Sequence, residues 1–508
     1  MKMNENQESI YNGLKSIGEE ISGFYLSGLK IINDDTLPSK TYFIAHSARE
    51  IDGGIRDILA PKEEKERKQK ELSLEGELKK AKGHVASVLV AFDLPIDDPF
   101  ALEYIDVVTK FVKHTHRSGA FKPSRESSDI ILLWKRYEIV LLKLLGDFIN
   151  QLKQIERILK FDKPTDEILH TIKNIFKNKQ KEHYFYNNLK SVNWFVPLYK
   201  NDFFSPKYLL DSLYWNQSEY LEHLSLAIKE DEISKEYSEI LIKIIDEICS
   251  YSNNVKQINN YRIWYTIITI LTNLPKDYIT DEIIDYFPIF FNTKHENTLQ
   301  SDAIFKFIHS YFENREYSLN HKSKIEKIIK LIFEISANDV FRDSSTYEKD
   351  KLNPIIRSYR LKQACNDEVF CSSIAEYCSN ETVFHIADKL LTYLKNEYAS
   401  DFNIKSIFYL DEIDRSSYSI ETIYTIFFKN SCQKIPSIRI NEIITVFLSK
   451  RYNHNHFIKL SLFLFAKTWI HTKAIFFDLI KKNDEQMIFS NTYWGDDLYF
   501  FLEEISTL

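Results

Sequence analysis

The placement of glycine constrains this chain more than any other feature. Of its 508 residues only 11 are Gly; ten lie at or before Gly146, and the next is Gly495. Residues 147–494 thus contain no residue that enters the φ > 0 region without steric cost, which disfavours tight hairpins throughout that span. Helix–helix connections are less demanding, because Asn, Asp, Ser and Pro close them. So little Gly, against about 7% in average usage, argues against β-barrels, sandwiches, propellers and Gly-rich phosphate loops. The expectation is an all-α protein. Aromatic residues make up 14% of the chain, so core material is not limiting.

The same shift places a boundary near Lys160-Phe-Asp-Lys-Pro164, giving an N-terminal helical bundle over 1–162 and a helical-repeat-like array over 163–508. In the first part, Ile10, Leu14, Ile17, Ile21 and Tyr25 predict one helix from Ser9 to about Lys30. Further helices are predicted over Lys40–Leu59, over Gly83–Phe92, after Pro99, and over Asp129–Leu159. The run of mixed charge at 61–82 reads as a solvated helix or an excursion. After Pro164, one-sided apolar helices alternate with short polar turns: Tyr237 to Ile248, Ile263 to Leu271, a helix opened by Ser301-Asp302, and Ile325 to Ile332. Thr280 followed by Asp281 and Glu282 reads as an N-cap with acids in the first turn. This texture suits an α-solenoid-like array of stacked helix pairs. No strict repeat length emerges, so one large irregular helical domain is the alternative.

The formal net charge is −7 with both signs interspersed, which gives no global argument for nucleic-acid or membrane binding. Five Cys, an odd and sparse set, suit reduced thiols, and the N-terminal residues lack the apolar core of a signal peptide. The most apolar window, Phe457–Ile470, carries Lys459 and Lys467 and is too short to span a bilayer. A cytoplasmic location without a membrane partner is expected. Walker, GxGxxG, HExxH and GxSxG motifs are absent, so no cofactor is expected. Cys365, Cys371, Cys378 and His385 are spaced too widely for the usual paired-thiol zinc site, and no metal is expected.

Chemistry concentrates in the first part. At helical spacing His46, Arg49, Gly53 and Arg56 share one face, with Gly53 admitting a close backbone approach between the arginines. His114 and His116 close a later helix. Arg beside His can bind a phosphate and move a proton, as metal-independent RNA cleavage requires. The competing account is an internal polar network that locks the bundle, with Glu50, Asp52 and Asp57 as partners. Lys173, Lys177, Lys179 and Lys181, interleaved with Phe176 and Tyr184 to Tyr186, could track a nucleic-acid backbone, or form a solvated basic face.

The His46–Asp57 helix, the His-Thr-His-Arg-Ser-Gly segment at 114–119 and the helix containing Trp134-Lys-Arg-Tyr-Glu138 resemble the N-terminal region of uncharacterised bacterial helical proteins. The segment Asn188–Pro206, with Trp194-Phe-Val-Pro197, resembles the entry to helical arrays of large bacterial proteins, some linked to anti-phage defence. The bundle is also distantly similar to HEPN-type domains, which often are ribonucleases with an Arg-x(4–6)-His motif. This chain departs from that motif: no Arg precedes His114 or His116 at the required spacing, and Lys110 is the nearest basic residue. Arg315-x5-His321 and Arg451-x4-His456 match it elsewhere. Two functions stay open. One is an interaction, scaffold or sensor protein that binds a protein or nucleic-acid partner in bacterial defence. The other is a HEPN-like ribonuclease or its inactive relative, using His46, Arg49, Arg56, His114 and His116.

Overall fold

The computed structural model describes residues 3–60, 62–75, 79, 81–92, 94–115, 127–176, 179–209, 215–292, 298–336, 352–396, 406–408, 410, 419–482 and 495–507. The protein is all-α: among the described residues the only strands are two-residue segments, Ile335–Ser336 and Asn353–Pro354, paired antiparallel. The chain divides into two compact units, Met1–Phe203 and Phe204–Leu508.

The first unit contains α1 (Glu5–Ile17), α2 (Glu19–Ile32), α3 (Lys40–Leu59), α4 (Lys62–Glu71), α5 (Lys82–Phe92), α6 (Pro99–Thr115), α7 (Ser127–Leu159), α8 (Asp166–Ile175) and α9 (Lys179–Asn188). The single helix expected from Ser9 to about Lys30 is broken: Gly18 is extended (φ −172°, ψ 135°), ending α1 and starting α2. Helix α3 packs on α2 and α6, and α7 lies against α1 and α6. Glycine sets how closely α2 meets α7, since a Cβ at Gly28 would overlap the Trp134 indole. Tyr25, Tyr104, Phe111, Trp134 and Tyr137 form a continuous buried aromatic core. Glu138 tethers it, accepting from Tyr25 Oη (2.7 Å), Trp134 Nε1 (3.2 Å) and Gln7 Nε2 (3.2 Å). The charged run includes a genuine helix, α4, lying along α5. The unit extends beyond the compositional boundary because Asp162 is bonded by Ser191 (2.6 Å) and Asn193 (2.7 Å), while the Trp194 indole donates to Phe161 O (2.7 Å).

The second unit contains α10 (Ser218–Lys229), α11 (Tyr237–Asn254), α12 (Tyr261–Asn273), α13 (Asp281–Asp285), α14 (Thr298–Phe312), α15 (Lys322–Ile332), α16 (Ser358–Asn366) and α17 (Glu368–Tyr377). It continues with α18 (Asn380–Asn396), α19 (Ile420–Cys432), α20 (Ser437–Phe447), α21 (Asn455–Lys482) and α22 (Gly495–Ser506). Two rows of neighbours run through it. In the first, α10 packs on α12, α12 on α14, α14 on α16, α16 on α19, α19 on α21 and α21 on α22. In the second, α11 packs on α13, α13 on α15, α15 on α18 and α18 on α20. The Thr280 hydroxyl caps α13 by accepting from Ile283 N (3.4 Å). Helix α14 starts three residues before the expected Ser301 and buries both Gln300 and Ser301. No helix among the described residues is long and apolar enough to cross a membrane.

Candidate functional site

The residues singled out in the first unit are spread over several environments. The buried Asp52 (2% exposed) accepts from Arg56 Nε and Nη2, each 2.9 Å from Oδ2, while His84 Nε2 lies 3.2 Å from Oδ1. Burial pushes this carboxyl up, but His84 and Arg56 outweigh it and hold Asp52 below its usual range. Arg56 is thus committed to a carboxylate on its own helix, although its side chain is 24% exposed. The Tyr104 and Tyr137 hydroxyls, buried beside this group, are pushed well above the tyrosine range, burial being the main cause. Arg49 pairs with Glu50 at 3.0 Å, and His46 lies 3.6 Å from the same carboxylate while stacking on Tyr42. His114 is half-buried in the last turn of α6, and His116 lies outside the described residues. The close approach assigned to Gly53 belongs to its neighbour. A Cβ at Gly53 meets nothing within 4 Å, whereas one at Gly54 would lie 2.7 Å from Ile21 Cγ1.

The basic residues of the first unit are equally divided. Lys173 lies over the Phe203 ring at 5.3 Å, Lys181 is 5% exposed, Lys179 opens α9, and Lys177 lies outside the described residues. The two Arg/His spacings in the second unit do not converge on shared partners. Arg315 pairs with Glu376, and His321 with Asp277. Arg451 pairs with Asp388, whereas His456 is buried beside Thr425 (2.8 Å) and Glu421 (3.6 Å), where burial pulls it down to about 3.

All five cysteines are buried and unbridged, and burial pushes their thiols up. Among the described residues no group of three or more His, Cys, Asp or Glu is placed to hold a metal. At the far end of the second unit, Asp497 is fully buried. It accepts from Ile407 N (2.8 Å) and Ser406 Oγ (2.9 Å), and Lys459 Nζ lies 3.8 Å from its second oxygen.

A polar concavity lies on the first row of the second unit. It has a volume of about 730 Å³ and is formed by four successive helices of that row and their ends: α10 (Lys229), α12 (Tyr265, Thr269), α14 (Lys306, His309) and α16 (Arg360). Asp302, Lys306 and His309 lie along one flank at steps of four and three residues, so one stripe of α14 supplies them, and Glu313, just past the end of that helix, continues it. Arg360 forks onto both Asp302 oxygens, with Nη2–Oδ2 at 2.8 Å, and its Nη1 donates to Gln363 at 2.9 Å. Behind the groove, Lys276 is buried and donates to the carbonyls of Leu271 (3.4 Å), Thr272 (2.8 Å) and Leu274 (3.2 Å), closing the C-terminus of α12. Its ammonium also lies over the Phe307 and Tyr311 rings. Burial pulls Lys276 down to about 7, with Glu313 opposing the shift and Lys229 adding to it. Sequence reasoning missed this groove. The visible signal was a second, charged stripe at helical spacing on α14, beside the apolar stripe that marks the core.

No family model, curated protein or solved structure matches the chain.

Proposed function

We propose that this chain is an interaction protein that binds a macromolecular partner through the second unit, built as an array of helix pairs. The observation that carries the reading is the groove of about 730 Å³ across α10, α12, α14 and α16. A row of helices that each pack on the next leaves an outer face running along the row, and array proteins use such extended faces for recognition. The two rows of neighbours, one starting at α10 and the other at α11, support that architecture. The first unit, with Arg49 and Arg56 each held by a carboxylate of α3, serves as a rigid bundle. The resemblance of the segment from Asn188 to Pro206 to the entry of helical arrays in large bacterial proteins, some linked to anti-phage defence, suggests the biological context.

The test is site-specific photo-crosslinking of the full chain in its native host. A photoreactive residue at Phe305, in the groove, should give a discrete protein adduct; the same residue at Ile438, an exposed position on α20, should not. Equal adducts from both positions, or none from Phe305, would refute the reading. Degradation of RNA by the purified chain, abolished by Arg56→Ala, would replace it with the ribonuclease reading.

A further inference from the structure

We infer that the groove on the first row takes an acidic peptide segment of a partner protein, an inference that rests on the partner-binding reading above and names the chemistry of the partner. The argument starts from which of the groove's charges are already used. Asp302 has both oxygens on the Arg360 guanidinium, so this pair cancels within the groove wall. Asp367 is the N-cap of α17, where it accepts from Phe370 N at 2.7 Å and faces the positive end of that helix. Glu313, beside them in the lining, has no ion pair among the described residues and is outnumbered by the cations around it. Lys229, Lys306 and His309 are left, and none of the three has an ion pair among the described residues. Two ammonium groups and an imidazole on an open concave surface attract carboxylates.

The hydrogen-bonding groups of the same wall suit a polypeptide backbone. Thr269 Oγ1 donates to Tyr265 O (2.9 Å) and Thr272 Oγ1 to Ile268 O (2.7 Å), so each hydroxyl keeps its lone pairs for an incoming N–H. Gln363 Oε1 accepts from Arg360, which turns its amide N–H groups to the role of donor for an incoming carbonyl. Tyr265 and Phe305 supply aromatic surface for apolar side chains between the acids, and Phe305 is braced edge-on by Phe370 at 5.9 Å. A nucleic-acid strand fits this wall less well. It brings a phosphate with every nucleotide and no neutral stretch, whereas Asp302, Glu313 and Asp367 interrupt the positive surface. A peptide can place its acids opposite Lys229 and Lys306 and keep neutral residues elsewhere.

The probe is a fluorescein-labelled peptide with Glu and Asp interleaved with Leu and Phe, titrated against the full chain by fluorescence anisotropy. Saturable binding is expected. It should weaken by about tenfold or more in the double variant Lys229→Glu/Lys306→Glu and stay unchanged in Ile438→Glu. Circular dichroism and thermal melting of both variants should match the parent chain, since all three side chains are exposed. Raising the salt concentration should weaken binding. Equal affinity for the Gln/Asn version of the peptide, or undiminished binding in the double variant, would overturn the proposal. So would binding of oligouridylate that is lost in the same variant, which would assign the groove to nucleic acid. If the peptide fails to bind while the Phe305 adduct persists, the acidic chemistry is wrong and the partner reading stands.

Discussion

Replacing Asp52 by Ala tests whether the polar cluster of the first unit locks the bundle. The substitution removes the acceptor of two Arg56 N–H groups at 2.9 Å and of His84 at 3.2 Å, at a site only 2% exposed. Breaking one side of a buried pair costs about 3–5 kcal/mol; because Arg56 is 24% exposed and can turn partly to water, about 2–4 kcal/mol is expected here. The full chain has two units, so a single unfolding midpoint would blend them. Hydrogen exchange read by mass spectrometry on peptides from Lys40–Leu59 isolates the right region, and amides opening with the bundle should exchange roughly thirty- to a thousandfold faster. Adding Arg56→Ala should restore part of the loss, since it removes the stranded cation. The folded carboxyl titrates below its unfolded value, so this contribution is present above the ordinary carboxylate range and disappears as pH falls through the depressed value. Exchange in Asp52→Ala within about 0.5 kcal/mol of the parent would refute the reasoning, as would strict additivity of the two substitutions.

Two glycines on neighbouring helices should respond in opposite directions in hydrogen exchange of peptides from the first unit. Gly28→Ala forces a Cβ into the Trp134 indole and should destabilise the first unit by about 1–3 kcal/mol or more, whereas Gly53→Ala enters open space inside a helix and should stabilise it by about 0.5–1 kcal/mol. Lys276 gives the second unit an alkaline dependence. Its folded value of about 7 lies below the unfolded value, so the unfolded chain binds more protons between the two, and local stability at the end of α12 should rise from pH 7 to pH 9. Exchange of the Leu274 amide and of the amides of 276–279, corrected for the intrinsic pH effect, measures this, and a flat profile would contradict it.

Helix identity was readable wherever one apolar stripe repeated without interruption. Lys40–Leu59 has the expected limits, and α7 begins two residues before the expected Asp129. The expectation failed at Gly18, because apolar spacing continues in phase across an extended residue and records only which side faces inward. It failed again at Ser301, a good capping residue that lies buried inside α14. The unit boundary was hidden for a different reason: Asp162, Ser191 and Asn193 are joined through space, and composition carries no trace of that contact. In the candidate site, the His46–Arg56 stripe was legible as a stripe, but its partners were not. Which of Glu50, Asp52 and Asp57 meets Arg56 depends on which face of α3 is buried and on where α5 delivers His84. The groove was illegible because its lining comes from four helices, and only packing brings Lys229 and Arg360 to one concavity.

The Asp497 contacts bear on how the second unit comes to be finished inside a cell. The N–H of Ile407 is buried, and its acceptor is synthesised ninety residues later. Until that carboxylate has left the ribosome, the Ile407 N–H and the Ser406 hydroxyl lack the acceptor they have in the folded chain. The last helices must therefore close after most of the chain has already been translated, and a stalled or prematurely terminated product would expose this seam to quality-control proteases.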